Sequence, residues 1–122
     1  MSVVDTQPSG ASWSYAAASG GITDTNDVVI AAAAGADRRN YLSALQVVNT
    51  DATVGTELVI KDGSTVIFRI FVPQSIAAVT QPMPVCLHFP SALRSSLNTA
   101  LNAAAITTSA QLYVNAQGYT GA

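Results

Sequence analysis

Cys86 and His88, the only cysteine and the only histidine of the chain, are the residues best suited to chemistry. Their spacing of two positions would place both side chains on the same side of a β-strand, where they could form half of a metal site. Two ligands do not make a zinc site, and a free thiol beside a histidine is more often part of a core. We therefore expect partly buried core residues here, with no metal and no cofactor.

A hydrolytic triad would also depend on His88. The chain has no Gly-x-Ser-x-Gly turn, and its serines fall in contexts typical of turns. We expect no enzyme activity and assign no catalytic residue.

Two segments imitate ligand-binding loops. Residues 24–27, Asp-Thr-Asn-Asp, resemble the start of a calcium loop, but Val28 stands where a third oxygen ligand is needed and no glutamate follows at the required distance. Gly20 and Gly21 are not followed by the Lys-Ser or Lys-Thr of a phosphate loop. Both segments are predicted to be turns.

Aromatic residues alternate onto single strand faces. Trp13 and Tyr15 share one face, Tyr113 and Asn115 share another, and Tyr119 could extend the second set. Exposed rings can stack on sugars, so a carbohydrate-binding module stays open as a function. Rings of this kind more often anchor a core or a subunit interface, and we favour that role for Trp13 and Tyr15.

The composition limits the partners of the chain. Hydrophobic residues make up 49% and charged residues 10% of its 122 residues, and the mean hydropathy is +0.35. This apolar share is high for one small soluble domain, so we expect burial between copies. Five Lys and Arg and a net charge of −2 cannot neutralise a phosphate backbone, so we expect no nucleic-acid partner. No apolar run approaches the roughly 20 residues of a membrane span, so we expect no membrane partner.

The chain is divided by turn residues into short strands. Residues 1–11 are polar, contain Pro8 and Gly10, and are predicted to form a flexible N-terminal arm. Residues 12–122 are predicted to form one domain. The predicted strands are residues 12–18, 27–33, 40–49, 56–61, 65–72, 83–89, 98–106 and 109–117. Their number and spacing predict an all-β fold, an antiparallel β-sandwich of the jelly-roll type with about eight strands.

Residues 56–72 have the pattern of a β-hairpin joined near Asp62 and Gly63. If Leu58 and Ile60 face the core, the residues opposite them must face the core as well, so the connection between the two strands must contain an odd number of residues. A three-residue connection at 61–63, with a positive φ at Gly63, is therefore predicted. The residues of the second strand that should share the core face are Val66, Phe68 and Ile70.

The other side of this hairpin is half apolar and carries Val59, Ile67 and Phe71. A half-apolar outer side predicts that a second layer of the protein or a partner subunit covers it. Glu57 and Arg69 also fall on it and should lie near each other. A second contact is suggested by the alanine run 31–34, because small side chains in a strand permit close approach of a neighbouring subunit.

Residues 91–105 also fit a helix, since Leu93, Leu97 and Leu101 recur at helical spacing. Asn98, Thr99 and the Ile-Thr-Thr that follows favour extended or irregular backbone. We expect at most a short helix or turn near 91–96, followed by a strand.

Five blocks of the sequence resemble small virion proteins of tailed bacteriophages. The blocks are residues 13–22 (WSYAAASGGI), 39–42 (RNYL), 45–46 (LQ), 57–63 (ELVIKDG) and 113–119 (YVNAQGY). The similarity extends over most of residues 12–119. Proteins of this group are encoded among capsid and tail genes, so the resemblance implies a structural role. Small β-sandwich proteins of this kind often act as capsid decoration or cement proteins, commonly as trimers.

The resemblance leads us to expect a virion protein that is made in the host cytoplasm and binds the major capsid protein on the outer surface of the head shell. A homotrimer is expected, and no catalytic residue is carried over. A tail, baseplate or fibre-associated structural protein and a carbohydrate-binding module stay open as alternatives. The residues we select for the subunit or capsid interface are Val59, Ile67, Phe71, Trp13 and Tyr15.

Overall fold

The computed structural model describes residues 11–75 and 84–122. These residues form eight β-strands and no helix, and therefore no helix that could cross a membrane. The strands are β1 (Ser12–Tyr15), β2 (Val28–Ala31), β3 (Arg39–Asn49), β4 (Thr56–Asp62), β5 (Thr65–Val72), β6 (Val85–Arg94), β7 (Leu101–Ala105) and β8 (Leu112–Gly121). Each overlaps one predicted strand, so the all-β prediction is confirmed. The predicted arm lies outside the described residues except for Ala11, whose carbonyl accepts a hydrogen bond from the backbone N–H of Thr120 (3.0 Å).

The strands form two antiparallel sheets of four strands each. The order is β1-β8-β3-β6 in the first sheet and β2-β7-β4-β5 in the second. The chain folds back on itself in nested pairs, because β1 pairs with β8, β2 with β7, β3 with β6 and β4 with β5. The antiparallel β-sandwich is confirmed, and its jelly-roll form stays a prediction that the nested pairing supports.

The core lies between the sheets and is built by alternation along the strands. The first sheet contributes Leu42, Leu45 and Val47 of β3 together with residues of β8. Facing them, Leu58 and Ile60 of the second sheet are fully buried. Burial of one such side chain contributes about 1.5–3 kcal/mol, so this layer dominates the stability of the fold.

The β4–β5 hairpin has the predicted core face. Leu58 lies opposite Ile70, and Ile60 lies opposite Phe68. Gly63 has the predicted positive φ, +61°. The alternation of apolar residues therefore predicts the pairing of this hairpin correctly over most of its length.

The predicted three-residue connection is wrong. Asp62 pairs with Thr65, so the turn has two residues, and the odd residue that parity requires is a bulge in β5 at Ile67. A bulge sets two consecutive residues of one strand opposite a single residue of the other, which reverses the alternation beyond it. Val66 consequently leaves the predicted core face and is 36% exposed.

β6 departs furthest from the prediction. The predicted break at Pro90 and the helix or turn near 91–96 are both wrong, because the strand continues to Arg94. β6 is an edge strand of the first sheet, and an edge strand tolerates a proline whose missing N–H faces away from the ladder. The turn comes later, at residues 97–98, where Asn98 has a positive φ of 49°.

Candidate functional site

Cys86 and His88 lie on the outer face of the first sheet, beside Gln46 and Ala44 of β3. Both are exposed, so the expectation that they belong to the core is wrong. Alternation along β6 explains this, because the residues that pack inward are Val85, Leu87 and Phe89. Within residues 11–75 and 84–122, no group of three or more His, Cys, Asp or Glu side chains could hold a metal ion.

The two loops that resemble ligand sites are turns, as predicted. The Asp24 carboxylate accepts hydrogen bonds from the backbone N–H and the side-chain amide of Asn26, both at 3.1 Å. Asp27 forms an ion pair with Lys61 at 2.7 Å. Gly20 and Gly21 have φ values of +89° and +69°, which only glycine adopts without strain.

Trp13 and Tyr15 lie on the inner side of β1 and are half-buried against the core. The Trp13 indole N–H donates to the carbonyl of Tyr119 at 3.3 Å. The same ring lies over Gly118, where a Cβ would be 2.5 Å from Cζ2 of Trp13. This packing favours an anchoring role for the two rings over a flat sugar-stacking platform.

The outer face of the first sheet is polar and nearly neutral, and we call it the polar face. Its residues are Ser12, Ser14, Tyr41, Ala44, Gln46, Val48, Cys86, His88, Arg94, Tyr113, Asn115, Gln117 and Tyr119. Tyr41 and Tyr119 are opposed across β3 and β8, and their rings stack with centroids 4.8 Å apart and planes 6° apart. A shallow depression of about 150 Å³ lies over Ala44. The sequence pattern did not single out Tyr41, because only the register of β3 against β8 brings it to Tyr119.

The outer face of the second sheet carries the predicted hairpin surface, but its three selected residues differ in exposure. Val59 is only 2% exposed although it points away from the core cluster. Its neighbours along and across the strands include Lys61 and Arg69, whose long stems can cover apolar surface. Ile67 packs against the core because it occupies the bulge. Phe71, at 58% exposed, is the most exposed of the three.

Other exposed apolar residues on this outer face were missed by the sequence interpretation. Val29 of β2 and Ile106, which follows β7, are both more than half exposed. Ile106 extends the ladder of β7 because its backbone N–H donates to the carbonyl of Glu57 at 3.2 Å. The alternation of Ile106 with Ala104 was the sequence signal for a shared outer face. Because the predicted strand ended at residue 106, the exposure of Ile106 was not expected.

An open cleft of about 530 Å³ lies where β1 and β2 approach each other, and we call it the edge cleft. Its lining residues are Ala11, Trp13, Ala31, Ala32, Ala34, Arg38, Asn40 and Thr120. Asn40 is buried, and its side-chain amide donates to the carbonyl of Ala32 at 2.8 Å. This bond fixes the alanine segment that forms one wall. The side chains of the alanine run were predicted to permit close approach of a neighbouring subunit. They therefore border a cavity on the surface.

Asp51 organises the loop between β3 and β4. Hydrogen bonds from the backbone N–H groups of Thr53 (2.9 Å) and Val54 (2.7 Å) reach its carboxylate and lower the pKa of Asp51 below its ordinary value. The loop is thus held by a charged group on the surface.

No protein-family model, no curated protein and no solved structure matches this chain. Its described surface offers a polar face, an exposed phenyl ring at Phe71, the edge cleft and a second open cleft of about 530 Å³. The second cleft is lined by Tyr41, Pro90, Ser91, Ala92, Arg94 and Tyr119. Two ion pairs, Lys61–Asp27 and Arg69–Glu57, involve residues at opposite ends of β4. Such low-charge surfaces are suited to shape-matched contacts with other proteins.

Proposed function

We propose that this chain is a structural protein of a tailed-bacteriophage virion, and specifically a decoration or cement protein that binds the outer surface of the head shell. The observation that carries the proposal is the position in the fold of the sequence blocks that resemble phage virion proteins. Residues 13–22, 39–42 and 113–119 contribute to β1, β3 and β8, which are adjacent in the first sheet. These blocks contact one another in one sheet, whereas the block 57–63 lies in β4 of the second sheet, so the resemblance extends to both sheets of the sandwich.

The surface chemistry also supports a shell-binding role. A decoration protein binds many equivalent places on a lattice, so each copy needs only a modest contact energy that the lattice multiplies. A neutral polar face and a few exposed apolar side chains are suited to such contacts. The proposed partner is the major capsid protein, and the proposed location is the capsid surface after synthesis in the host cytoplasm. Self-association into a homotrimer is part of the proposal.

The first test is the copy number of this chain relative to the major capsid protein in purified particles, measured by quantitative mass spectrometry. A near-stoichiometric ratio is expected for a protein that covers the shell. A few copies per particle would instead favour the tail, baseplate or fibre-associated alternative. Complete absence from particles would overturn both virion assignments.

A carbohydrate-binding module is the second candidate, and the polar face favours it. The stacked rings of Tyr41 and Tyr119 lie beside exposed amides such as Gln117, and amides pair well with sugar hydroxyls. Trp13 and Tyr15 do not belong to this surface because they pack inward. Binding to a glycan array that is lost in Tyr119→Ala would support this candidate, and an array without binding would leave it without support.

A further inference from the structure

We propose that the second cleft binds acidic saccharides, with the ring of Tyr41 stacked on a sugar face and the Arg94 guanidinium bonded to a sugar carboxylate. The inference goes beyond shell binding. It rests on the second candidate function, the carbohydrate-binding module, and names the ligand class of that candidate. The cleft belongs to the isolated protein, so the test needs no capsids.

The second cleft exists because the pairing of β6 with β3 is interrupted. β6 has four residues between Leu93 and His88, whereas β3 has one residue between their partners. Residues 90–92 of this insertion form one wall of the cleft. Irregular pairing of this kind recurs at sheet edges and beside active sites, where it changes the direction of side chains. The interruption therefore gives the outer face a concave site that a regular sheet would lack.

The other side of the cleft is an aromatic ring that is held in place. Tyr41 stacks on Tyr119 with centroids 4.8 Å apart, and its hydroxyl donates to the backbone oxygen of Ala122 at 2.6 Å. A ring fixed in this way loses little freedom when a ligand binds, which lowers the cost of association. The C–H face of a sugar ring packs well on such an aromatic surface.

Arg94 supplies a positive charge to the same cleft. It is the cross-strand partner of Tyr41 and is exposed. Among the described residues, its guanidinium has no ion-pair or hydrogen-bond partner. A guanidinium binds a carboxylate through two parallel charge-assisted hydrogen bonds, which a neutral hydroxyl group cannot match. Arg94 therefore favours a sugar that carries a carboxylate.

No carboxylate of the first sheet competes for Arg94. The strands β1, β3, β6 and β8 contain no Asp and no Glu. Asp62 of the second sheet reaches the chain just beyond β6, but its carboxylate accepts from the backbone N–H (2.9 Å) and the hydroxyl (2.6 Å) of Ser96. An anionic ligand supplies the carboxylate that this sheet lacks.

A saccharide fits the second cleft better than an acidic peptide or an apolar group. An extended peptide adds to a sheet edge through a continuous row of backbone hydrogen bonds. β6 is the edge here, but its insertion and the missing N–H of Pro90 interrupt that row. An apolar group would leave Arg94 without a partner.

The size and lining of the second cleft agree with this choice. Its volume of about 530 Å³ is within the usual range of ligand pockets. Its lining combines two phenol rings with the Ser91 hydroxyl and a guanidinium. That combination suits a ligand that has apolar ring faces and a polar, charged rim.

The experiment measures the dissociation constants of the full-length chain for trigalacturonate and for its methyl ester by isothermal titration calorimetry. The two probes share their rings and hydroxyls, and only the first carries carboxylates. We expect the acid to bind at least about tenfold more tightly than the ester. Arg94→Gln should lower the affinity for the acid to that for the ester and leave the affinity for the ester unchanged. Arg69→Gln removes an exposed arginine from the second sheet, and this matched control should keep the wild-type preference.

The aromatic contact is tested by Tyr41→Ala, which should weaken the binding of both probes about tenfold. Tyr113→Ala removes a ring of the same face that does not line the second cleft, and it should bind both probes like the wild type. Circular dichroism shows whether each variant is folded. Arg94→Gln changes an exposed side chain, so it provides the test even where Tyr41→Ala does not fold.

Equal affinity of the wild type for acid and ester, or an Arg94→Gln variant that keeps the preference, would overturn the inference and leave the carbohydrate-binding candidate standing. Tighter binding of triglutamate than of trigalacturonate would overturn it in favour of an acidic peptide. Binding of neither probe would also overturn it, and the glycan array then decides the candidate function separately. The copy number in particles is independent of all these outcomes.

Discussion

Trp13 of β1 lies directly over Gly118 of β8, its cross-strand partner in the first sheet. The ring uses the space that a side chain at position 118 would need. The Trp13 indole N–H donates a hydrogen bond to the carbonyl of Tyr119, the next residue along β8. Trp13 therefore joins β1 to β8 through both packing and a hydrogen bond. This relationship explains how a strand of only four residues keeps its place at the sheet edge.

Gly118→Ala should destabilise the fold. The added Cβ would meet the Trp13 ring at 2.5 Å and would also meet the backbone carbonyl of Tyr41, which cannot move aside easily. Overpacking of this kind costs about 1–3 kcal/mol. Urea unfolding followed by tryptophan fluorescence measures the loss. Gln117→Ala, a neighbouring change at an exposed position, is the control and should stay within about 0.5 kcal/mol of the wild type. Equal stability of the two variants would contradict the packing described here.

Asn49 should be far more sensitive to substitution than an exposed asparagine. Its side-chain amide donates to the carbonyl of Val54 at 2.8 Å, and its Oδ1 accepts from the backbone N–H groups of Asp51 (3.0 Å) and Gln111 (3.2 Å). Asn49→Ala leaves these groups without partners, and each buried unsatisfied group costs about 1–3 kcal/mol.

The expected loss for Asn49→Ala is therefore at least about 2 kcal/mol in the free energy of unfolding. Asn115→Ala serves as the control, because Asn115 is exposed and its side chain makes one hydrogen bond to the described residues, accepting from the backbone N–H of Ala17 at 3.1 Å. A loss at Asn49 no larger than at Asn115 would show that the buried network is not needed.

Much of this architecture is predictable from the sequence because alternation along strands reports burial directly. Leu58 and Ile60 were assigned to the core on that basis and are fully buried. The sequence predictions fail where one extra residue reverses the inward and outward alternation of a strand. They also fail where the position of a strand in its sheet decides its structure. The bulge at Ile67 adds a residue that no local pattern reveals. Pro90 is compatible with β6 because β6 is an edge strand whose pairing with β3 is interrupted there, and both facts follow from the sheet and not from the local sequence.

The surface sites were less predictable than the core for the same reason. Phe71 was selected from its alternation and is exposed, but the exposure of Val59 depends on side chains from neighbouring strands. The edge cleft depends on Ala11 and Thr120, which are 109 positions apart and meet only through β1–β8 pairing. Sequence spacing carries no information on such a meeting.

Acid should destabilise the fold through Asp51. Because hydrogen bonds from Thr53 and Val54 lower its pKa, the ionised carboxylate stabilises the folded state above its ordinary pKa of 3.8. That contribution is lost as the pH falls through the lowered pKa. The difference in unfolding free energy between wild type and Asp51→Asn should therefore be constant near neutral pH and shrink below about pH 3.8. A difference that grows on acidification would contradict this assignment.

The Glu57–Arg69 ion pair should contribute little to stability. Its nitrogen and oxygen are 3.0 Å apart, but the Arg69 side chain is 58% exposed, and exposed pairs are worth about 0.2–1 kcal/mol. A double-mutant cycle with Glu57→Gln and Arg69→Gln measures the coupling energy. High salt should reduce it, because solvent screens exposed charges. A coupling energy well above this range, or one indifferent to salt, would mean that the pair is less exposed in solution than its geometry indicates.

Cys86 should react with a thiol reagent in the folded protein. The residue is exposed on the polar face, so modification needs no unfolding. We expect a disulfide-exchange reagent to modify one thiol per chain under native conditions, at a rate similar to that in urea. The reaction should leave the β-sheet circular dichroism unchanged, because the residues of β6 that pack inward are its alternate neighbours Val85 and Leu87. Protection of the thiol until the chain unfolds would place Cys86 in a core, as the sequence alone predicted, and would contradict the described face of β6.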